Sequence, residues 1–177
     1  HLFTKLTDIQ LNRVYQHAQL INLDTGQILF HEGQKIKHFY LVLSGKIKLY
    51  CLSSDGQEKI IEFMRIGDVF AESIMFLDEP FYPANTAALT PSKVLRIDAL
   101  DFKELLLESP ETSLILLAEM SAKWHKFIHE VDAISLHTGS RRVAHYFLQI
   151  SLQLGECFEL EAPKNMIAAR LSIKPET

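Results

Sequence analysis

The chain of 177 residues carries 18 Lys and Arg against 22 Asp and Glu, a net charge of −4, and 47% of its residues are hydrophobic. That is enough apolar material for one domain or two small ones with a real core, and too acidic for the whole surface to bind polyanions, although a local basic site stays open. Cys51 and Cys157 make no disulfide framework and the longest apolar runs fall far short of a membrane span, so a reduced, cytoplasmic protein without a membrane partner is expected.

Thr7 and Asp8 are candidate caps for an amphipathic helix over 6–18, in which Ile9, Leu11, Val14, Tyr15 and Ala18 recur at helical spacing. From 20 to 98 the pattern changes to short β-rich runs, at 20–23, 27–30, 39–43, 46–52, 59–64 and 93–97, separated by Gly26, Gly33, Gly45, Gly56 and Gly67. Lys46-Ile47-Lys48-Leu49-Tyr50 alternates as a half-buried strand does, and Ser54-Asp55-Gly56 predicts a hairpin turn. Short strands at this spacing predict an antiparallel β-roll or jelly roll. A brief helix over 100–108 begins near Asp98.

Residues 110–136 predict the longest element, a helix of roughly 40 Å at about 1.5 Å per residue. Pro110 suits its first turn and Ser109 can cap it. Leu117, Met120, Trp124, Phe127, Val131 and Ile134 follow a 3-4-3-4-3 spacing, a seam suited to a second copy of the helix; an amphipathic helix packed on its own domain uses much the same spacing. Glu119, Lys123, Lys126, His129 and Glu130 form a side expected to face water, with Glu119–Lys123 and Lys126–Glu130 as i,i+4 pairs. Leu114, Ala118, Ser121, His125 and Ile128 form a third, half-apolar stripe, expected to face the β-roll.

His137-Thr138-Gly139-Ser140 is the plausible domain boundary, which divides the chain into 1–108, 109–136 and 137–177. Beyond it, 141–154 predict a helix with Val143, Ala144, Phe147, Leu148 and Ile150 inward, and Phe158-Glu159-Leu160-Glu161 alternates like a strand. A short helix over 164–171 is followed by Ser172-Ile173, and a second helix starts at Lys174-Pro175-Glu176-Thr177. Two short helices around a tight turn form the helix-turn-helix pattern. The absence of an initial Met and the unfinished second helix lead us to expect further chain at both ends.

The order β-roll, long helix, hinge and helix-turn-helix resembles the CRP/FNR family of bacterial transcription regulators. The five glycines of 20–98 are spaced like the turns of that family's roll, Phe30-His31-Glu32-Gly33 looks like its first hairpin, and Ile167-Ala168-Ala169-Arg170-Leu171-Ser172-Ile173 with Pro175-Glu176-Thr177 is similar to its DNA-reading motif. The resemblance implies an α+β fold: an N-terminal β-roll sensor, a long dimerisation helix and a C-terminal winged helix-turn-helix domain, cut short here. It implies a homodimer on a palindromic DNA operator, with RNA polymerase as a further partner. Glu176 and Thr177 would open the recognition helix, Glu176 accepting from a cytosine amino group, while Lys164, Arg170 and Lys174 would lie near phosphates.

Cyclic-nucleotide members of the family place a Gly-Glu before a small helix and then an Arg whose fork of donors takes the phosphate. Here Phe70-Ala71-Glu72 keeps the Glu, but Tyr82-Pro83-Ala84-Asn85 puts Pro83 near the place of the Arg, so a cyclic nucleotide is not expected. The iron–sulfur members need four thiolates, and two distant cysteines cannot hold that cluster. The stretch 71–80 with Tyr82, and the stretch 171–177, look closest to the dissimilatory nitrate respiration regulators, which respond to nitric oxide. That branch implies control of anaerobic and denitrification genes, and a haem in an apolar cleft between roll and long helix. His1 and His125 are the candidate axial ligands, with Leu114, Ser121 and Ile128 beside them. His125 and His129 could instead chelate zinc, but no third ligand is evident.

No enzyme is expected. A cupin-like metal triad fails because His31 and Glu32 are neighbours on a strand and point to opposite faces, and no phosphate loop or nucleophile elbow is present. The alternatives are a regulator of this family with another ligand that is not a cyclic nucleotide, or a regulatory roll attached to a kinase or channel. The helix-turn-helix tail and the missing Arg argue against the second.

Overall fold

The computed structural model describes residues 2–78, 80–136, 138–155, 157–160 and 162–174, without the side chains of 130, 132–136, 153 and 154. His1, Glu176 and Thr177 therefore lie outside the described residues, as does the side chain of Ile134.

The first helix, α1 (Asp8–Gln16), opens on a capping box: the Thr7 side chain accepts from the Gln10 N–H, and Gln10 Oε1 accepts from the Thr7 N–H at 3.0 Å. Eight strands follow, β1 (Ala18–Leu23), β2 (Ile28–Phe30), β3 (His38–Ser44), β4 (Ile47–Leu52), β5 (Glu58–Met64), β6 (Val69–Phe70), β7 (Asn85–Ala88) and β8 (Ser92–Asp98). They form two antiparallel four-stranded sheets, in the orders β1-β8-β3-β6 and β2-β7-β4-β5. Each expected run has its strand, and the Ser54-Asp55-Gly56 turn joins β4 to β5. β6 and β7 were not anticipated, nor was the 3-10 turn at Ser73–Phe76. β6 is only a pair of residues. β7 reads Asn-Thr-Ala-Ala with every residue buried, so it carries neither the alternation nor the bulky β-formers that mark a strand in sequence.

The roll's core includes Phe39, Val42, Ile47, Val94 and Ile97, closed at one end by Phe102 and Leu105 of α2 (Ala99–Glu108). Asp98 caps α2 as expected, its Oδ1 accepting from the Asp101 N–H at 2.9 Å. Burying Phe102 and Leu105 completely contributes about 1.5–3 kcal/mol each.

α3 (Pro110–Leu136) runs from this end along the roll. Its inward line is Thr112 and Leu116, both buried, then Met120, packed against the main core, then Lys123. This corrects three expectations. Met120 serves the roll rather than the outer seam, and Lys123 lies on the roll side rather than in water. Leu114, Ala118, Ser121, His125 and Ile128 are exposed, not turned to the roll. The cause is the rotation of the helix: the inward stripe is 112, 116, 120 and 123, one to two residues earlier than the stripe 114, 118, 121 and 125.

Beyond the boundary, α4 (Gly139–Leu154) buries Tyr146 and Ile150, while Ala144, Phe147 and Leu148, expected inward, are exposed. α5 (Lys164–Leu171) buries Ile167 and Ala168. Tyr146, Ile150, Ala162 and Ile167 join Tyr50, Ile60, Phe63 and Ala87 in a second core, so α4 and α5 close against the outer face of β4 and β5. Contrary to expectation, 158–160 form no strand. Phe158 instead packs on this second core and stacks on Phe147 at 6.3 Å, and a lone segment has no ladder to join.

Candidate functional site

The site the sequence points to lies where α3 crosses the roll. The chain leaves β6 through Ala71, whose φ of 65° is left-handed. That turn drives Glu72 inward, leaving its side chain 3% exposed. Lys123 reaches in from α3, and its Nζ donates to Glu72 Oε1 at 2.5 Å and to the Val69 carbonyl at 2.9 Å. One turn further along, Lys126 Nζ donates to Glu62 Oε1 of β5 at 2.6 Å, in a more exposed pair.

Inside the roll, the stretch that departs from the cyclic-nucleotide pattern has a definite role. Tyr82 is buried and lies on Phe30 with ring centroids 3.7 Å apart and planes within 11°. Phe30 also stacks on Tyr40, and Tyr40 on Phe70. The Tyr82 hydroxyl donates to the His38 carbonyl at 2.7 Å and sits 3.4 Å from the Tyr40 hydroxyl. Burial, above all, pushes both phenols up from their ordinary value, so they stay neutral and act as hydrogen-bonding groups. Pro83, next in line, is exposed, and its carbonyl accepts weakly from the Cys51 thiol at 3.6 Å. Burial and then Glu32 push that thiol up, away from thiolate chemistry. Neither the aromatic stack nor the Lys123–Glu72 pair was anticipated. The signal for the second was available: Lys123 continues the spacing of Leu116 and Met120.

These placements bear on haem. Its axial ligand was expected from His1 or His125; His1 lies outside the described residues, and His125 is exposed on a side of α3 that does not meet the roll. The inner side offers Leu116, Met120 and Lys123, with the Glu72 carboxylate already taken up by Lys123. Among the described residues, α3 turns no histidine to the roll, so the axial ligand would have to come from elsewhere, His1 being the other candidate.

At the other end, Ser172 adopts a left-handed φ of 53°. The Ile173 N–H donates to the Ala168 carbonyl at 3.0 Å and the Ser172 N–H to the Ala169 carbonyl at 3.4 Å, a Schellman turn with Ser in the place Gly usually takes. Arg142 fixes that turn by donating to the Ser172 carbonyl at 3.0 Å. Lys164 and Lys174 are exposed, whereas the Arg170 guanidinium lies over the Phe63 ring of β5 at 5.6 Å. Along the outside of α3, Leu117, Trp124, Phe127 and Val131 are all exposed, together with Leu114 and Ile128.

The profile of the family described as the cyclic nucleotide-binding domain matches residues 20–109, nearly the whole of both sheets and α2. The chain is similar to a probable transcriptional regulator, flp, of Lacticaseibacillus casei, 29% identical over 79% of this chain; it spans only 64% of that protein's length. It is 26% identical to the cyclic AMP receptor protein of Thermus thermophilus, over 90% of this chain and 74% of that one. Among solved structures it is similar to the sensor domain of the transcriptional regulator DNR from Pseudomonas aeruginosa, with a TM-score of 0.67 and 36% identity, covering 73% of this chain and 86% of that domain.

Proposed function

The chain belongs to the CRP/FNR family of regulators built on a cyclic nucleotide-binding domain, and we propose that it acts as a homodimeric, sequence-specific DNA-binding regulator whose roll answers a small effector other than a cyclic nucleotide. The effector we favour is nitric oxide, in control of anaerobic and denitrification genes, a reading supported by the likeness to the DNR sensor domain. Haem, as the carrier of that signal, rests on the resemblance alone. The outer face of α3 is the surface for the second copy, and Lys164, Arg170, Lys174, Glu176 and Thr177 are the DNA-contacting set.

The observation that carries the reading is the division of labour on α3. One side of it closes the roll through Leu116, Met120 and Lys123, while the other presents Leu117, Trp124, Phe127 and Val131 to the outside. A single rigid element thus touches the sensor, a potential twin and, through its end, the helix-turn-helix unit, which is what a switch of this type needs. Against a cyclic nucleotide stands the region of Tyr82 and Pro83, where a buried phenol and a ring without N–H replace the cationic fork that a cyclic phosphate takes.

The likeness to a cyclic AMP receptor keeps the other effector as the second reading. One experiment separates them. The full-length protein is reconstituted with haem, and its absorption spectrum and operator binding are followed with nitric oxide and, separately, with cyclic AMP. A Soret band that shifts with nitric oxide, together with a change in operator affinity, is expected. No Soret shift with a cyclic AMP response would overturn the effector reading, and no operator binding under any condition would overturn the regulator reading.

A further inference from the structure

The proposed function needs α3 to hold a defined position on the roll, and this inference rests on that reading. Two lysines of α3 clasp carboxylates of the roll, and the two pairs are unequal. In the outer pair the side chains of Lys126 and Glu62 are 54% and 23% exposed, so water screens the charges and the bond is easily exchanged. In the inner pair Glu72 is 3% exposed and Lys123 40%. The carboxylate is inside, and the ammonium is brought to it on a long stem from the surface.

Losing the partner of a buried carboxylate leaves an uncompensated charge, which is strongly unfavourable. The ammonium is held by two acceptors, Glu72 Oε1 and the Val69 carbonyl, fixed by β6 and by the left-handed turn at Ala71. A slide of α3 by one residue is about 1.5 Å, and a turn by one residue is about 100°. A turn of that size carries the Lys123 side chain away from both acceptors, while a slide, which its flexible stem can follow, strains the two bonds it now makes together. The present register is the one in which the ammonium serves both acceptors at once.

We infer that Lys123 is the positioning residue that sets the register of α3 on the roll, and with it the aim of the helix-turn-helix unit at the far end of α3. The buried pair of Lys123 with Glu72 is the catch that must be re-made or released whenever α3 moves. In this structure α4 and α5 also pack on β4 and β5, so an effector that re-aims the DNA-binding end through α3 has to undo that packing as well as change the pair. The outer Lys126–Glu62 pair follows passively.

The test uses the full-length protein carrying Cys51→Ser, spin-labelled at the exposed Cys157, so that the distance between labels in the two protomers reports the relative placement of their C-terminal units. Lys123→Met is expected to shift or broaden that distance distribution and to change effector-free operator affinity at least tenfold. Lys123→Arg should restore both, and Lys126→Met should leave both within threefold of wild type. If Lys123→Met folds poorly, the double variant Glu72→Gln with Lys123→Met, which removes the buried charge along with its partner, must show the same altered distribution. A Lys123→Met protein with a lower melting temperature but unchanged distances and operator affinity would overturn the inference, reducing Lys123 to a structural contact. A wild-type protein with neither operator binding nor an inter-protomer distance would remove the regulator reading on which it rests.

Discussion

Tyr82 lies face to face on Phe30, ring centroids 3.7 Å apart, while its hydroxyl donates to the His38 carbonyl at 2.7 Å. The stack and the hydrogen bond contribute differently, and two substitutions separate them. Tyr82→Phe keeps the ring and loses the donor, at a cost of about 1 kcal/mol, while Tyr82→Ala opens a cavity in the roll and costs about 3–5 kcal/mol. Denaturant unfolding of the two proteins measures the difference. Equal losses would mean that the hydroxyl, not the stack, organises this side of the roll.

The α1–α2 contact gives a prediction for acid. Asp101 accepts from Arg13 Nε at 2.8 Å and lies 2.9 Å from His17 Nδ1. Burial works to raise its carboxyl, but the bonds from His17 and Arg13 outweigh it, and the net shift is downward. A carboxyl lowered on folding contributes stability that is fully present above its unfolded pKa, about 3.9, and is lost as pH falls through the folded value. Asp101→Asn should thus melt below wild type at pH 6–7, and the gap should close as pH drops below about 4. A gap that held constant down to pH 2 would refute the assignment.

Two left-handed positions should respond in opposite senses. A Cβ on Gly45, at φ +81°, would come within 2.2 Å of Ser92 Oγ and 2.5 Å of the Pro91 carbonyl, so Gly45→Ala should lose the roughly 1–2 kcal/mol of the left-handed conformation and more from the backbone clash. Ala71 already bears that conformation at φ 65°. Ala71→Gly should accordingly raise stability by up to about 1 kcal/mol. Melting temperatures of the pair decide it, and a stabilised Gly45→Ala would show that the loop to β8 is free to shift.

How far the sequence carried the reading depends on how local the cause was. The Thr7 and Asp98 caps, the Ser54-Asp55-Gly56 hairpin and the end of α5 at Leu171 were legible because a few adjacent residues decide them. β7 was not, because its four residues are a strand only by virtue of lying between β2 and β4. The rotation of α3 was missed for a related reason. Its apolar residues surround most of the helix, so spacing alone allows more than one choice of inner face. The tie is broken by Glu72, some fifty positions earlier in the chain, taking the Lys123 ammonium. Lysine looked like a mark of water, and here it marks a buried acid. Tyr82 and Pro83 were read as the absence of an Arg; that Tyr82 fills the roll by stacking on Phe30 depends on contacts some fifty residues apart in the chain.

The corrected rotation sharpens the prediction for self-association. Phe127 is 41% exposed on the outer face, with Trp124 and Val131 also exposed beside it in the helix, whereas Met120 packs on the main core. An acidic residue should therefore act differently at the two positions, although both belong to the same seam by spacing. Phe127→Asp buries no charge within the protomer, so its melting temperature at low concentration should stay close to wild type, while at micromolar concentration it should sediment as a monomer. Met120→Asp forces a carboxylate against the roll and should lose several kcal/mol of stability, unfolding before it dissociates cleanly. Sedimentation velocity alongside thermal melts reads both effects. A dimer that survives Phe127→Asp would place the twin's contact elsewhere, and a Met120→Asp protein of wild-type stability would return Met120 to the outer face.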